Sequence, residues 1–430
     1  MRALLLTQGT RGDVQPFLAL ALALEASGHT ALVAGPAHCA SLAALHGVDY
    51  HPTHDGVTGL MGDPELAGVM DTGLRGMRGA AQTVRLLRRI KDTTGRVYED
   101  MAEAAEGGAD IVVHTAGLPG EHIAEYLGTR AVPVALQPSW IPTRAFPVPG
   151  APWPGWMPSA FNRLSYRLTA LALRGQRRAA MRLRRERLGL VRPGRHGPPD
   201  LPDGRRVPLL QAFSRHLLPD GVDYPPGVRT TGFWFTPPDE AWEPSPALAG
   251  FLRMGEAPVF IGFSSAPTKD PTATWRLLTR AVRRAGVRAV IATGWGGIAP
   301  EDAHETVLVI DQVPHEHLFP RCAAVVHHGG AGTTGVALTS GRPQVICPFW
   351  GDQPFWARRA HAIGAATPPL RGQDLTEGSL AAAISRAVSN TEMIATAERI
   401  GARAREEEGV LGAVRMLEDA AADASPPRGQ

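Results

Sequence analysis

At 430 residues the chain is too long for one ordinary hydrophobic core, so two domains are expected. Lysine and arginine total 44 against 41 acidic residues, a net charge of +3, which argues against nucleic acid as the main partner. The cysteines, Cys39, Cys322 and Cys347, are scattered without metal-ligand spacing or a disulfide framework and fit a reducing cytoplasm.

The opening "MRALLL" has too short an apolar run for a signal peptide and reads as a strand. No stretch approaches the roughly 20 apolar residues of a membrane span. After "ALLLT" the helical pattern "VQPFLALALALEASG" leads to "TALVAG", the "HCASLAALHG" helix, "DIVVHT", "EHIAEYLG" and "VPVALQ". Strands alternating with amphipathic helices predict right-handed crossovers and a parallel sheet. From Arg163 to Arg195 eleven arginines face one acid, Glu186. Such a run offers peripheral contact with an anionic membrane, a grip on an acidic partner, or, more commonly, a solvated face whose arginine stems cover apolar neighbours.

The stretch "RTTGFWFTPPDEAWEPSPAL" lacks periodicity and reads as a linker over 229–248. It divides a first domain, 1–228, from a second, 249–405, where "PVFIGFS", "WRLLTRAVRRAG", "RAVIATG", "VLVIDQ", "CAAVVHH", "GVALTSG" and "QVICPF" repeat the alternation. Residues 406–430 comprise helix and tail, with the helix expected to return to the first domain.

The chemistry concentrates in "HHGGAGTT", residues 327–334, between an apolar strand and a helical stretch. The first N–H groups of a helix lack partners and its dipole makes that end positive, so an anion is the natural occupant. Gly329, Gly330 and Gly332 let backbone approach closely, while His328, Thr333 and Thr334 supply donors. In "WGDQPFWA", Asp352 and Gln353 follow the strand "QVICPF", where open α/β sheets place ligands. Asp13, ahead of "VQPFLAL", looks like a helix N-cap.

The order of motifs across 313–366, with "TQGTRGDVQPFLALALALEASGHTALVAG" near the start and "RTTGFWF" before the linker, resembles the nucleotide-sugar glycosyltransferases with two Rossmann-like domains, the GT-B type. Within them it is most similar to the branch of sterol glucosyltransferases and glycopeptide-antibiotic glycosyltransferases. The resemblance implies two doubly wound α/β domains facing across a cleft, and inverting transfer of a hexose, glucose or a deoxyhexose, from a UDP- or TDP-sugar. The acceptor it implies is a hydroxyl on a hydrophobic natural product, sterol or lipid.

It also implies roles for residues. His328, Gly330, Gly332 and Thr333, with Ser264 and Ser265 of "GFSSAP", would cradle the diphosphate. Asp352 and Gln353 would hold the sugar hydroxyls, and Asp13 would act as the general base, its carboxyl raised by burial. Relatives stack a tryptophan on the base where this chain has Gln312, Val313, Pro314 and His315, so Val313 and Trp295 of "ATGWGG" take that role. The acceptor pocket is assigned to 51–77 and to the ring-rich lip 137–157, with Trp140, Phe146 and Trp153 as its contacts. No Asp-x-Asp pair occurs, so no cofactor or metal is expected. A catalytically silent relative, acting as a nucleotide-binding or auxiliary partner, is the alternative.

Overall fold

The computed structural model describes residues 1–56, 58–60, 89, 92–151, 153, 156–191, 209–263, 270–294 and 305–422. Two parallel sheets organise the described residues, and their strands are counted among these. The first has seven strands: β1 (Arg2–Leu6), β2 (Thr30–Pro36), β3 (Tyr50–Thr53), β4 (Ile111–Thr115), β5 (Arg130–Ala135), β6 (Leu209–Gln211) and β7 (Val228–Thr230), ordered 3-2-1-4-5-6-7. The second has five: β8 (Val259–Gly262), β9 (Ala289–Ala292), β10 (Val307–Ile310), β11 (Ala324–His327) and β12 (Gln344–Ile346), ordered 10-9-8-11-12. The chain winds outward to one side of β1 and then to the other, and it does the same about β8. Each sheet therefore reverses direction at a point, β1/β4 and β8/β11, where a crevice opens beyond the strand ends.

Helices enclose the sheets. After β1, α1 (Arg11–Ala26) buries Val14, Phe17, Leu18, Leu20 and Leu24. The arginine-rich stretch forms two helices, α2 (Asn162–Ala172) and α3 (Arg174–Glu186). In the second domain α4 (Ala331–Thr339) follows β11 and α5 (Gln353–Ala362) follows β12. The C-terminal helical pattern is not continuous: α6 (Thr391–Arg405) and α7 (Gly409–Ala422) are separated at 406–408.

The stretch expected to be linker is shorter than its composition suggests. Arg229 and Thr230 pair in β7, and Pro246–Arg253 is a helix capped by the Ser245 side chain. Short elements escape periodicity because their pairing partners lie far away in sequence. The last helix, α7, crosses to the first domain. Ala413, Val414, Leu417 and Ala420 join a core with Phe17, Leu24 and Val33, while Glu418 pairs with His29 at 2.8 Å. Between the domains Phe146, Phe213 and Leu217 pack with Leu338, Phe355 and Trp356. Arg359 on α5 donates to the carbonyls of Leu217 and Leu218 at 2.9 and 3.0 Å.

Candidate active site

The turn between β11 and α4 is built to stay fixed. His327 is fully buried, and its Nδ1 accepts the Gly329 N–H at 3.1 Å, so the neutral ring carries its proton on Nε2 and donates to Gln344 Oε1 at 2.9 Å. Burial holds His327 down to a pKa of about 3. Gly329 has φ +90°, and a Cβ there would press to 2.8 Å from Ile346 Cγ2, so both conformation and space require glycine. At Gly330 a Cβ would come within 2.5 Å of His328 Nε2, so that ring lies against the entrance to α4. Gly332 differs: among the described residues nothing lies within 4 Å of the place its Cβ would occupy, so their packing does not explain a glycine there.

Among the described residues, three buried polar atoms around this turn have no hydrogen-bond partner: Gln344 Nε2, beneath His327, and His328 Nδ1 and Thr334 Oγ1. Orphaned buried groups are costly, of order 1–3 kcal/mol each, and call for a ligand or water. Burial lowers the His328 pKa to about 4, so at neutral pH its ring is an uncharged donor. Thr333, half-buried, stands beside Thr334 in the first turn of α4.

After β12, Asp352 occupies the N-cap position of α5, but its Oδ2 accepts the Trp356 indole N–H at 2.7 Å instead of capping backbone. The buried Gln353 turns its Oε1 to the N–H groups of Phe349 at 2.8 Å and Trp350 at 3.3 Å, which shapes the loop. Its amide N–H₂ remains to donate.

The first domain presents Asp13. Its expected place as N-cap is corrected: the cap is Thr10, and Asp13 lies three residues into α1. The cause is the carboxylate itself, whose Oδ2 accepts from the Thr10 N–H at 2.8 Å and the Thr10 hydroxyl at 3.1 Å, drawing the helix start back. Burial nevertheless raises the Asp13 pKa to about 6, opposed by the two Thr10 bonds and reinforced by the charge of Asp352. Asp352 is itself raised, chiefly by burial. The two carboxyls belong to different domains, each on the helix or turn that follows a strand of its own sheet.

Arg11, at the start of α1, was not among the expected site residues. Its charge reaches His315, whose pKa burial, Arg11 and His328 together hold down to about 4. The available signal was its position, two residues before Asp13 in the same turn.

Other expected residues fall differently. Val313 is half-buried against the cluster around Leu318 and Phe319, and the neighbouring His315 ring stacks on Phe319 at 4.5 Å. Ser264, Ser265 and Trp295 lie outside the described residues, as do 57 and 61–77 of the first acceptor segment. Trp140 is 36% exposed and covers Gly117, where a Cβ would run into the Trp140 ring. Trp153 is half-buried, and its indole N–H has no partner among the described residues. Phe146 is only 6% exposed and packs on Phe355 with ring centroids 5.0 Å apart, so its ring joins the two domains instead of facing an open lip. At Gly150, φ +82°, a Cβ would lie 3.0 Å from the Gly351 carbonyl oxygen, so this loop leans on the one carrying Asp352. Among the described residues no three His, Cys, Asp or Glu side chains gather as a metal-ligand set.

Residues 3–111 match the glycosyltransferase family 28 N-terminal domain, and residues 300–408 match the erythromycin biosynthesis protein CIII-like C-terminal domain. The chain is 34% identical over 425 residues to O-mycaminosyltylonolide 6-deoxyallosyltransferase of Streptomyces fradiae, covering 97% of each chain. It is 32% identical over 430 residues to the sterol 3-beta-glucosyltransferase UGT80A2 of Arabidopsis thaliana, covering 97% of this chain but 65% of that relative's length. The crystal structure of the glycosyltransferase VinC in complex with DTDP superposes with a TM-score of 0.63 at 20% identity, covering 99% of this chain and all of the other.

Proposed function

This chain belongs to the glycosyltransferase family that these relatives define, and from that premise we propose that it moves a hexose from a UDP- or TDP-sugar to a hydroxyl of a hydrophobic acceptor, with inversion. The observation that carries this reading is the pair of buried side-chain atoms without a hydrogen-bond partner among the described residues, His328 Nδ1 and Thr334 Oγ1, at the start of α4, with the raised carboxyl of Asp13 on the other domain as its complement. In this reading Asp13 takes the proton, and the donors at α4 meet the negative charge that grows on the leaving group.

In this mechanism the diphosphate rests at the α4 N-terminus, against Gly330, Gly332, Thr333 and His328, and Ser264 and Ser265 complete the cradle. The helix end contributes about 0.3–2 kcal/mol toward an anion, and charge-assisted hydrogen bonds add to it. The open space at Gly332 lets phosphate oxygen approach backbone. Asp352 accepts hydrogen bonds from sugar hydroxyls and Gln353 donates to them. Val313 and Trp295 flank the base. The acceptor oxygen attacks the anomeric carbon, its proton passes to Asp13, and the bond to phosphate breaks with its electron pair leaving on the diphosphate. Donors fixed around that oxygen stabilise charge that appears mainly in the transition state. A pKa of about 6 leaves Asp13 ionised at neutral pH yet more basic than a free carboxylate.

The acceptor meets Trp140 and Trp153, with Phe146 supporting the lip from behind. The reaction needs no metal, so activity should survive a chelator. The decisive test pairs calorimetry of UDP and TDP binding with mass-spectrometric screening of ring-bearing acceptors against UDP- and TDP-glucose. Nucleotide binding without transfer or donor hydrolysis would make the chain a silent partner protein. No binding to either nucleotide would overturn the reading.

A further inference from the structure

The helix α2 carries an apolar face that no described residue covers. Phe161, Leu164, Leu168 and Leu171 are 49%, 42%, 50% and 47% exposed, and their spacing aligns them in one stripe about 15 Å long. The stripe is not a loosely held helix turned outward. The opposite face is pinned: Asn162 donates to the Arg144 carbonyl at 2.8 Å, Ser165 Oγ accepts the Val148 N–H at 2.9 Å, and Tyr166 is 5% exposed. Soluble surfaces rarely carry four large apolar side chains in line without a use.

Charge beside the stripe is one-sided. Arg163, Arg184 and Arg187 are paired with Asp223, Glu125 and Glu106. Arg167 and Arg174 border the apolar stripe, and Arg177, Arg178, Arg182 and Arg185 extend along α3; all six are exposed and, among the described residues, have no carboxylate partner. The only acid on the two helices is Glu186.

We propose that α2 and α3 dock the protein on an anionic lipid bilayer, with Phe161, Leu164, Leu168 and Leu171 entering the headgroup boundary and the unpaired arginines meeting lipid phosphate. A second copy of this face is a poor occupant, since a symmetric pairing would set like charges opposite one another. A bilayer instead matches apolar and cationic surface at once and requires no groove. The Asn162 and Ser165 side chains, bonded to the backbone of 144 and 148, tie α2 to the acceptor lip itself. Together with the hydrophobic acceptor of the proposed function, on which this clause rests, docking would bring the lip to a solvent where such an acceptor collects.

The test is sedimentation of the full chain with phosphatidylcholine vesicles, with and without phosphatidylglycerol, at low and raised salt. Wild type should bind only the anionic vesicles and lose them as salt rises. The double variant Arg177→Glu/Arg178→Glu and the triple variant Leu164→Ser/Leu168→Ser/Leu171→Ser should each weaken binding about tenfold or more. Both should keep the wild-type unfolding midpoint and the wild-type affinity for UDP or TDP. Equal binding by variants and wild type, absence of binding to anionic vesicles, or a wild-type dimer that the triple variant splits would each overturn the proposal. Nucleotide binding is read separately, so a failed vesicle assay with intact UDP or TDP binding removes the membrane contact alone.

Discussion

The turn after β11 and the lip around Trp140 follow parallel strands in the same way, yet they are held by different means. In the turn, His327 is bonded at both ring nitrogens, and side chains of the chain itself crowd the positions where Gly329 and Gly330 would carry a Cβ. In the lip, one ring covers a glycine, another is absorbed by the opposite domain, and the backbone is held from other elements by Asp223, Asn162 and Ser165. The contrast follows from what each must meet. A diphosphate has one charge and one shape whatever sugar it carries, so rigid donors suit it. A hydrophobic acceptor has few fixed polar handles, so ring surface suits it.

That contrast can be broken most severely at the base. Replacing Asp13 by Asn should lower turnover about 10²- to 10⁴-fold while leaving nucleotide affinity unchanged in calorimetry. Turnover near wild type would strike Asp13 from the mechanism. Next in size is His328→Ala, which removes one donor to the leaving group and should lower kcat about 10²- to 10³-fold. An effect confined to acceptor KM would place His328 elsewhere.

The lip itself divides into two predictions. Phe146→Ala should cost about 3–5 kcal/mol in urea unfolding because it opens a cavity between the domains. Trp140→Ala should cost about 1 kcal/mol and act mainly by raising acceptor KM. A reversal of these two profiles would show that Phe146, and not Trp140, meets the acceptor. The smallest effect is a shift in pH dependence. Since the Asp13 pKa is raised to about 6, the ionised base forms as pH climbs through that value and kcat/KM should fall on its acid side. Asp352→Asn removes one repelling charge, so the acid limb of the residual activity should move to lower pH. A limb that stays in place would separate the two carboxyls.

Much of this arrangement was legible in the order of residues. Long apolar runs such as "ALLLT" and "CAAVVHH" marked central strands because both sheet faces are buried. The "HHGGAGTT" turn announced itself through glycines that only a close approach or a positive φ can justify. Three-residue strands such as Leu209–Gln211 were not legible, because so short a run has no period of its own and exists through its neighbours. The burial of Phe146 against Phe355 was hidden for a related reason: 209 positions separate the two rings, and nothing local reveals which side of a proline-rich loop will meet another domain. Arg11 stayed unread because its influence on His315 crosses the cleft.

The return of α7 to the first domain has a mechanical consequence. The backbone passes between the two halves twice, once after Thr230 and again at 406–408, so they are suspended at two points and not by a single swivel. Opening must flex both tethers together, which limits it to rocking about the line joining them. Such a guided stroke would return Asp13 and Asp352 to the same mutual distance at every turnover.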